Sequence, residues 1–347
     1  MKKLVVSLLI ILLVLTGCSS SQGNKATLKV YSWGEYIDPD SITEFENEYG
    51  VRVIYDLFAS NEEMYTKLAS GESYDILVPS DYMIQRLIEE ELLQQIDTSL
   101  ISNFEKIKPE YLGKDFDPNN DYSIPYFVGD VGIIYNSEAV DSNDVESQGW
   151  EVLKNPKYQD RLYMYDSERD AFMVALKALG YSANTTDENE INEAFEWLSE
   201  LDDIMKPVYA GDEIIDQLIS GSKDMAVMYS GDATYMISEN DSLEYYVPKE
   251  AGTNVWQDAM VIMKDSENVE LAHQWMDFML REDIATLNTQ FVGYTSPVKS
   301  VFEDMIAGDY EGFSSYIPSE SEKNEEFHYH KNNVQLLSDL WFRIKAE

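Results

Sequence analysis

The sequence is poor in cysteine, histidine and basic residues. Its 347 residues include one cysteine and three histidines, and 25 Lys and Arg stand against 65 Asp and Glu, for a formal net charge of -40 at pH 7. The single cysteine excludes an internal disulfide. So acidic a chain lacks the positive field that binds phosphate backbones, which argues against DNA, RNA and anionic lipid surfaces as partners. Cationic and neutral ligands remain.

The motifs of common catalytic and cofactor chemistry are also missing. The sequence has no P-loop, GxGxxG, GxSxG, HExxH or CxxC motif, so we expect neither an enzyme nor a bound cofactor. The pair His328 and His330 is more typical of a surface than of a zinc site, which needs roughly three or four ligands. The segment 117–121 has the oxygen spacing of a calcium loop, but Tyr122 and Val128 replace its Gly and Glu, so we predict an Asx turn and no metal.

The first residues have the pattern of an export signal. Lys2 and Lys3 precede an apolar run, 4–15, that is shorter than the about 20 residues of a membrane span. The following Leu-Thr-Gly-Cys18 resembles a bacterial lipobox. We therefore predict a signal peptide at 1–17, a lipidated Cys18 with a tether over 18–25, and a location on the outer face of the cell membrane or in the periplasm. The alternative is a short membrane anchor with an incidental cysteine.

The exported chain opens with three apolar, β-branched runs separated by amphipathic stretches, which is typical of βαβ units with a parallel sheet. Predicted strands are 28–33, 51–55, 74–79, 161–165, 225–229, 245–247 and 259–263, and predicted helices include 40–49, a segment starting at 60, one ending at 179, 191–201, 269–280 and 334–344. A loop over 116–126 leads into an apolar segment, 127–135, after which the pattern starts again. The expected fold class is α/β, with two lobes and a cleft between them.

Aromatic and acidic residues lie at the ends of the predicted strands, four clusters just past carboxyl ends and one immediately before the strand at 259, near the sheet edge where open α/β sheets bind ligands. These clusters are Trp33, Glu35 and Tyr36; Ser80, Asp81 and Tyr82; Asp166, Ser167, Glu168 and Asp170; Tyr229, Ser230 and Asp232; and Trp256 with Asp258. A single such residue is usually core or a helix cap, but clusters after several strands indicate a binding site.

This combination of side chains suits an organic amine. Aromatic faces attract cations, and carboxylates supply the counter-charge and hydrogen bonds for an ammonium group. A polyamine would need carboxylates at its charges and ring faces along its methylenes. A sugar site would use more neutral polar groups, and an anion site would need more basic residues. We expect Arg169, which lies among acidic neighbours, to orient a carboxylate.

At these positions the sequence resembles the spermidine/putrescine-binding proteins of polyamine ABC transporters. The matching segments, in chain order, are 31–36, 60–65, 78–80, 116–126, 179–182, 184–187, 247–250, 256–258 and 293–297. They cover nearly the whole exported chain. The resemblance implies a periplasmic-binding-protein-like fold of type II, whose two α/β lobes close on the ligand, with residues 26–130 plus 256–302 in lobe 1 and residues 131–255 plus 303–347 in lobe 2.

The resemblance also implies a ligand-binding set, carried over position by position. These residues are Trp33, Gly34, Glu35, Tyr36, Ser80, Tyr82, Asp166, Ser167, Asp170, Tyr229, Trp256, Asp258 and Tyr294. Two departures stand out: Ser167 has a hydroxyl where some members have a carboxylate, and Tyr229 replaces a Trp. Because one carboxylate is missing, we predict weaker binding of a third ammonium, and a preference shifted toward a diamine, unless Asp166 or Asp232 substitutes for it. The family's polar contact near the last helix has no clear match among residues 327–331.

The function expected from this resemblance is capture of a polyamine, spermidine or putrescine, outside the cell. Its partners would be the permease of an ABC transporter and the membrane that holds the lipid anchor, with the protein itself a monomer. Two alternatives remain. One is a binding protein for another solute, such as an oligosaccharide, and the other is a lipid-anchored hydrolase with two carboxylates from among Glu35, Asp170 and Asp258.

Overall fold

The computed structural model describes residues 25–346. The predicted signal peptide, Cys18 and the tether before Lys25 lie outside the described residues. In the part of the chain that is described, no helix combines the length and apolar character needed to cross a membrane. Strands and helices alternate along this part, so the expected α/β class is confirmed.

The strands are β1 (Thr27–Trp33), β2 (Arg52–Phe58), β3 (Ile76–Leu77), β4 (Ser123–Asn136), β5 (Leu162–Tyr165), β6 (Val208–Ala210), β7 (Met225–Tyr229), β8 (Leu243–Tyr246) and β9 (Val255–Ile262). The helices are α1 (Pro39–Tyr49), α2 (Asn61–Ala69), α3 (Asp81–Glu89), α4 (Ser142–Gln148), α5 (Glu168–Leu179), α6 (Glu188–Met205), α7 (Glu213–Ile219), α8 (Ser230–Glu239), α9 (Val269–Met279), α10 (Glu282–Val292), α11 (Lys299–Ala307) and α12 (Lys331–Ala346). Short 3-10 helices occupy Thr98–Leu100, Phe104–Lys106, Pro109–Tyr111, Gly149–Lys154 and Pro156–Tyr158.

The sheet is mixed, and the parallel pairing predicted for the first three strands is confirmed. Strand β1 pairs in parallel with β2 and β3, and β5 pairs in parallel with β6 and β7. Strands β4 and β9 run against their neighbours. Neither strand belongs to the three opening runs for which parallel pairing was predicted.

Strand β4 connects the two lobes. The order of strands is β2-β1-β3-β9-β4-β7-β5-β6, with β8 also paired to β4. The first part of β4 pairs with β9, from Ser123 to Asp130, and its second part pairs with β7 and β8, from Val131 to Asn136. One long strand thus belongs to the sheets of both lobes, which places residues from both sheets beside each other.

Local signals set the helix ends as the sequence indicated. Asp38 caps α1 by accepting from the Asp40 amide, and Gly50, in the left-handed region at φ 68°, ends that helix. Ser60 accepts from the Glu63 amide at the start of α2, and the Glu63 carboxylate accepts from the Ala59 amide. The Ser60 contact is the one that the predicted capping box requires, whereas the reciprocal bond of Glu63 goes to the amide one residue before the N-cap.

Candidate functional site

A cavity of about 660 Å³ lies between the lobes, at the carboxyl ends of the parallel strands. Every residue that the sequence analysis assigned to ligand contact lies in its wall: Trp33, Gly34, Glu35, Tyr36, Ser80, Tyr82, Asp166, Ser167, Asp170, Tyr229, Trp256, Asp258 and Tyr294. The fold therefore brings the predicted set together. Contact of these residues with a ligand stays a prediction.

Asp258, in β9, is a buried carboxylate in the wall of this cavity. The Tyr36 hydroxyl donates to its Oδ2 at 2.7 Å, and its Oδ1 is buried without a partner in the described structure. Burial raises the pKa of Asp258 to about 7. A cationic group that reached the free oxygen would supply the missing hydrogen bond and favour the charged form.

Tyr229 and Asp170 form the corresponding pair of lobe 2. The Tyr229 hydroxyl donates to Asp170 Oδ2 at 2.7 Å. Burial raises the pKa of Asp170. The Ser167 Oγ caps α5 by accepting from the Asp170 amide, so the departure at Ser167 replaces a charge with a helix cap. Tyr229 provides Asp170 with a hydroxyl donor.

Asp232, which the sequence analysis offered as a possible substitute carboxylate, also lies in the wall of the cavity. The Tyr294 hydroxyl donates to its Oδ2 at 2.9 Å, and burial, together with nearby Asp212, raises the pKa of Asp232 to about 7. Asp212 accepts from the Tyr165 hydroxyl at 2.8 Å. Asp212 and Tyr165 carried no sequence signal that separated them from other residues of their types.

An aromatic wall surrounds these carboxylates. The Trp256 ring packs edge-on against Tyr294 at 5.1 Å and Tyr229 at 6.0 Å between ring centroids. The Nε1 atoms of Trp256 and Trp33 are buried without a partner in residues 25–346. Because Gly129 lacks a side chain, the Trp256 ring can approach the β4 backbone; a Cβ there would lie 2.5 Å from Trp256 Cζ2.

Near β3, polar side chains form hydrogen bonds with Ser80 and Tyr82, two residues of the predicted binding set. Asn61 donates to Ser80 Oγ and to the Tyr82 hydroxyl, both at 3.1 Å, and Tyr82 donates to Glu62 at 2.9 Å. Asp81 is fully buried; its Oδ1 accepts from the Tyr82 amide, and burial raises its pKa well above the usual range.

Asp166, the other proposed substitute, already has a cation. Lys345 Nζ lies 2.7 and 2.9 Å from its two carboxylate oxygens, and Trp341 Nε1 donates to it at 3.1 Å. Glu168 accepts from Ser338 at 2.7 Å. Lys345, Trp341 and Ser338 belong to α12 and line the cavity, as does Phe327. The sequence analysis missed these α12 contacts because nothing local marks a partner about 170 positions away.

The expectation for Arg169 was wrong. Its guanidinium lies over the rings of Phe327 and Tyr82, 4.3 and 4.8 Å from the centroids, and donates to the His328 carbonyl at 3.3 Å. It forms no ion pair with a carboxylate of residues 25–346. The guanidinium therefore packs against two aromatic ring faces, whose negative electrostatic potential attracts a cation.

The segments considered for metals have other roles. Asp117 accepts from the amides of Asp121 and Tyr122 and from the Ser123 hydroxyl, so an Asp side chain holds the turn together, as predicted, although its bonds reach four and five residues along the chain and not two as in an Asx turn. The rings of His328 and His330 are 6.5 Å apart. Within the described range, no group of three or more His, Cys, Asp and Glu side chains is placed to hold a metal ion.

Comparison with known proteins identifies two matching families. The family described as bacterial extracellular solute-binding protein matches residues 71–309, and one described as a hypothetical lipoprotein family matches residues 1–110. The spermidine/putrescine-binding periplasmic protein of Escherichia coli K12 is 35% identical over 322 residues, covering 91% of this chain and 89% of its own. That of Salmonella typhimurium is 38% identical over 275 residues, covering 78% and 77% respectively.

A solved structure has the same fold. The spermidine/putrescine ABC transporter substrate-binding protein PotD of Streptococcus pneumoniae superposes with a TM-score of 0.78 at 34% identity, covering 92% of this chain and 99% of its own. The expected two-lobed fold of the solute-binding type is therefore confirmed.

Proposed function

This chain belongs to the bacterial extracellular solute-binding protein family, and from that premise we propose that it captures a polyamine and delivers it to the permease of an ABC transporter. The ligand would be spermidine or putrescine, the molecules in the names of its relatives. Such a receptor binds and releases its ligand unchanged, so the proposal requires no catalysis.

The observation that carries the proposal is the repeated tyrosine–carboxylate pair in an aromatic cavity. Asp258, Asp170 and Asp232 each accept from one tyrosine hydroxyl, through a single carboxylate oxygen. The second oxygen of each can accept from an ammonium, and the rings of Trp256, Tyr294 and Trp33 can cover the methylenes between charges. Alternating charge and apolar surface is the pattern of a polyamine.

The energetic scale of such contacts supports tight binding. A hydrogen bond to a charged group contributes about 1.5 to 3 kcal/mol, and a desolvated cation–aromatic contact about 2 kcal/mol. Ordering the flexible ligand and closing the lobes offset part of this gain. Two or three anchored ammonium groups are consistent with an affinity near the micromolar range, about -8 kcal/mol.

We assign residues 26–130 and 256–302 to lobe 1 and residues 131–255 and 303–347 to lobe 2. Under this division the Tyr294–Asp232 hydrogen bond and the stacking of Arg169 on Tyr82 join the lobes across the cavity. These contacts would form on closure and break on release. The protein would act as a monomer, because one chain supplies both walls.

The exported chain would be held at the membrane surface through a lipid on Cys18. Metabolic labelling with a clickable fatty acid, in cells that produce the full chain, tests this anchor. We expect label on the unsubstituted protein and none on Cys18→Ser, which should also leave the membrane fraction. Equal label on both proteins would refute the anchor and leave the ligand proposal intact.

A thermal-shift panel tests the ligand class. Putrescine, cadaverine, spermidine and spermine should raise the melting temperature, whereas maltose should not. Stabilisation by a sugar alone would support the oligosaccharide alternative. Recovery of each amine unchanged after prolonged incubation would exclude the two-carboxylate hydrolase for these amines, and a hydrolysed oligosaccharide would support it.

A further inference from the structure

Asp166 differs from three other aspartates of the cavity in the groups that donate hydrogen bonds to it. Asp258, Asp170 and Asp232 accept from neutral tyrosine hydroxyls. Both oxygens of Asp166 accept from the Lys345 ammonium, at 2.7 and 2.9 Å. The carboxylate is thus neutralised by the protein itself, in the wall of the same cavity.

The chemistry of the lysine side chain explains why this matters. A lysine side chain is a primary ammonium on a four-carbon stem, and the end of a polyamine is a primary ammonium on a methylene chain. The two groups compete for the same carboxylate. Asp166 is therefore bound by an ammonium that is part of the chain.

Helix α12 holds this lysine in place. Trp341 Nε1 donates to Asp166, and the Trp341 ring packs edge-on against Tyr209 at 5.1 Å between centroids. One turn earlier on the same helix, the Ser338 hydroxyl donates to Glu168. The Lys345 side chain is one-third exposed, so replacing it removes the ammonium without opening the core.

We propose that Lys345 lowers the spermidine affinity of the cavity relative to its putrescine affinity by occupying Asp166, a further carboxylate that an ammonium of a longer amine would otherwise contact. This inference rests on the proposed function. At the neighbouring position Ser167 supplies a helix cap and no charge. With Asp166 occupied, the cavity offers Asp258, Asp170 and Asp232, of which Asp232 lies beside Asp212. An amine that reaches Asp166 must displace Lys345, whereas putrescine, with two ammonium groups, can be held by two of the other carboxylates.

The test is calorimetric titration of the exported chain, from Ser19 onward, with putrescine and spermidine. Lys345→Gln removes the charge and retains a polar side chain. Because the ion pair is partly exposed, we expect about a fivefold gain in spermidine affinity, the upper range for such pairs, with putrescine affinity changed less than about twofold. Lys345→Met, measured in parallel, should give the same gain.

Three further variants distinguish occupation of Asp166 by Lys345 from a nonspecific effect of removing positive charge from the helix. Arg343→Gln removes a charge from the same helix, where the guanidinium stacks on Phe195, and should leave both affinities unchanged. Lys345→Arg keeps the charge and should retain the original preference. In the double variant Asp166→Asn with Lys345→Gln, the spermidine gain should disappear.

Two results would overturn the inference: equal gains for both amines in Lys345→Gln, or a spermidine gain that survives loss of the Asp166 charge. Either result would leave the proposed function standing if the unsubstituted chain binds putrescine. Failure of the unsubstituted chain to bind any amine would refute the proposed function itself, and this inference with it.

Discussion

At the scale of single residues, tyrosine hydroxyls orient three carboxylates of the cavity by donating a hydrogen bond to each. Each of Tyr36, Tyr229 and Tyr294 fixes one oxygen of an aspartate and leaves the carboxylate facing the cavity. A neutral donor orients the carboxylate without cancelling its charge, so the charge remains for a cation. This is the functional difference between these aspartates and Asp166.

Removal of one charge or one ring from this site should weaken binding. We expect Asp258→Asn or Trp256→Ala to lower polyamine affinity at least about tenfold, equivalent to about 1.4 kcal/mol. Asp258→Asn keeps the shape and loses the ion pair, and Trp256→Ala loses the ring face. Calorimetric titration measures both, with the exposed Asp241→Asn as the charge-matched control. Unchanged affinity in both folded site variants would contradict the site assignment.

Polyamine affinity should rise with pH across neutrality. Burial raises the pKa of Asp258 and of Asp232 to about 7, and an ammonium requires their charged forms. At about pH 6 each is mostly protonated, and the charged fraction of each group alone rises about tenfold by about pH 8, so we expect binding at least about tenfold weaker at the lower pH. The double variant Asp232→Asn with Asp258→Asn should flatten the profile. A flat profile in the unsubstituted chain would contradict the prediction.

The same pKa shifts make a prediction about the empty protein. Because both pKa values are raised above the usual 3.8, the folded state binds more protons than the unfolded state between pH 4 and 7. These groups therefore destabilise the empty protein as pH rises through that range. Melting temperatures measured with and without putrescine should differ more at pH 8 than at pH 6; a larger difference at pH 6 would count against this coupling.

At the scale of helices and strands, glycines allow the aromatic wall to form. A Cβ on Gly231, in α8, would overlap the Tyr294 ring. Alanine suits a helix better than glycine does, so Gly231→Ala should displace the ring without opposing the helix. We expect at least about a tenfold loss of polyamine affinity, measured by calorimetry. Retained affinity in a folded variant would show that the position of Tyr294 is not critical.

The predictability of the elements depended on how local their signals were. The helix from Asn61 to Ala69 follows a capping box, and β1 is a short segment rich in apolar residues, with Leu28, Val30 and Tyr31, so both were readable from the sequence. Helix α8 (Ser230–Glu239) was not predicted, because it starts directly after β7 with small and polar residues that resemble a loop. Strand β4 extends back to Ser123, within a segment that the predicted loop included.

The site itself divides in the same way. Asp170, which follows β5, could be predicted because parallel strands bring their carboxyl ends to one edge. Asp258 was also included in the predicted set, but it lies within the antiparallel strand β9 and not at a strand end. The contact of Lys345 with Asp166 could not be predicted, since it depends on how α12 packs against the rest of the fold. Pairing of distant residues is a property of packing, which a pattern of neighbouring residues does not contain.

At the scale of the whole molecule, the negative charge affects how ligands arrive. The formal net charge of -40 attracts cations, but the screening length at physiological salt is about 8 Å. Salt should therefore slow association more than it accelerates dissociation. Stopped-flow fluorescence over a salt series, with Trp256 as an intrinsic reporter, measures both rates. A response confined to dissociation would contradict long-range attraction.

The central claim, that this chain is a polyamine receptor, is tested most directly by calorimetric titration of the exported chain with putrescine, cadaverine, spermidine and spermine, with maltose as a neutral control. We predict saturable binding near one equivalent, micromolar or tighter, for at least one amine and no heat with maltose. A folded sample that gives no binding heat with any of the four amines at two temperatures would contradict the claim.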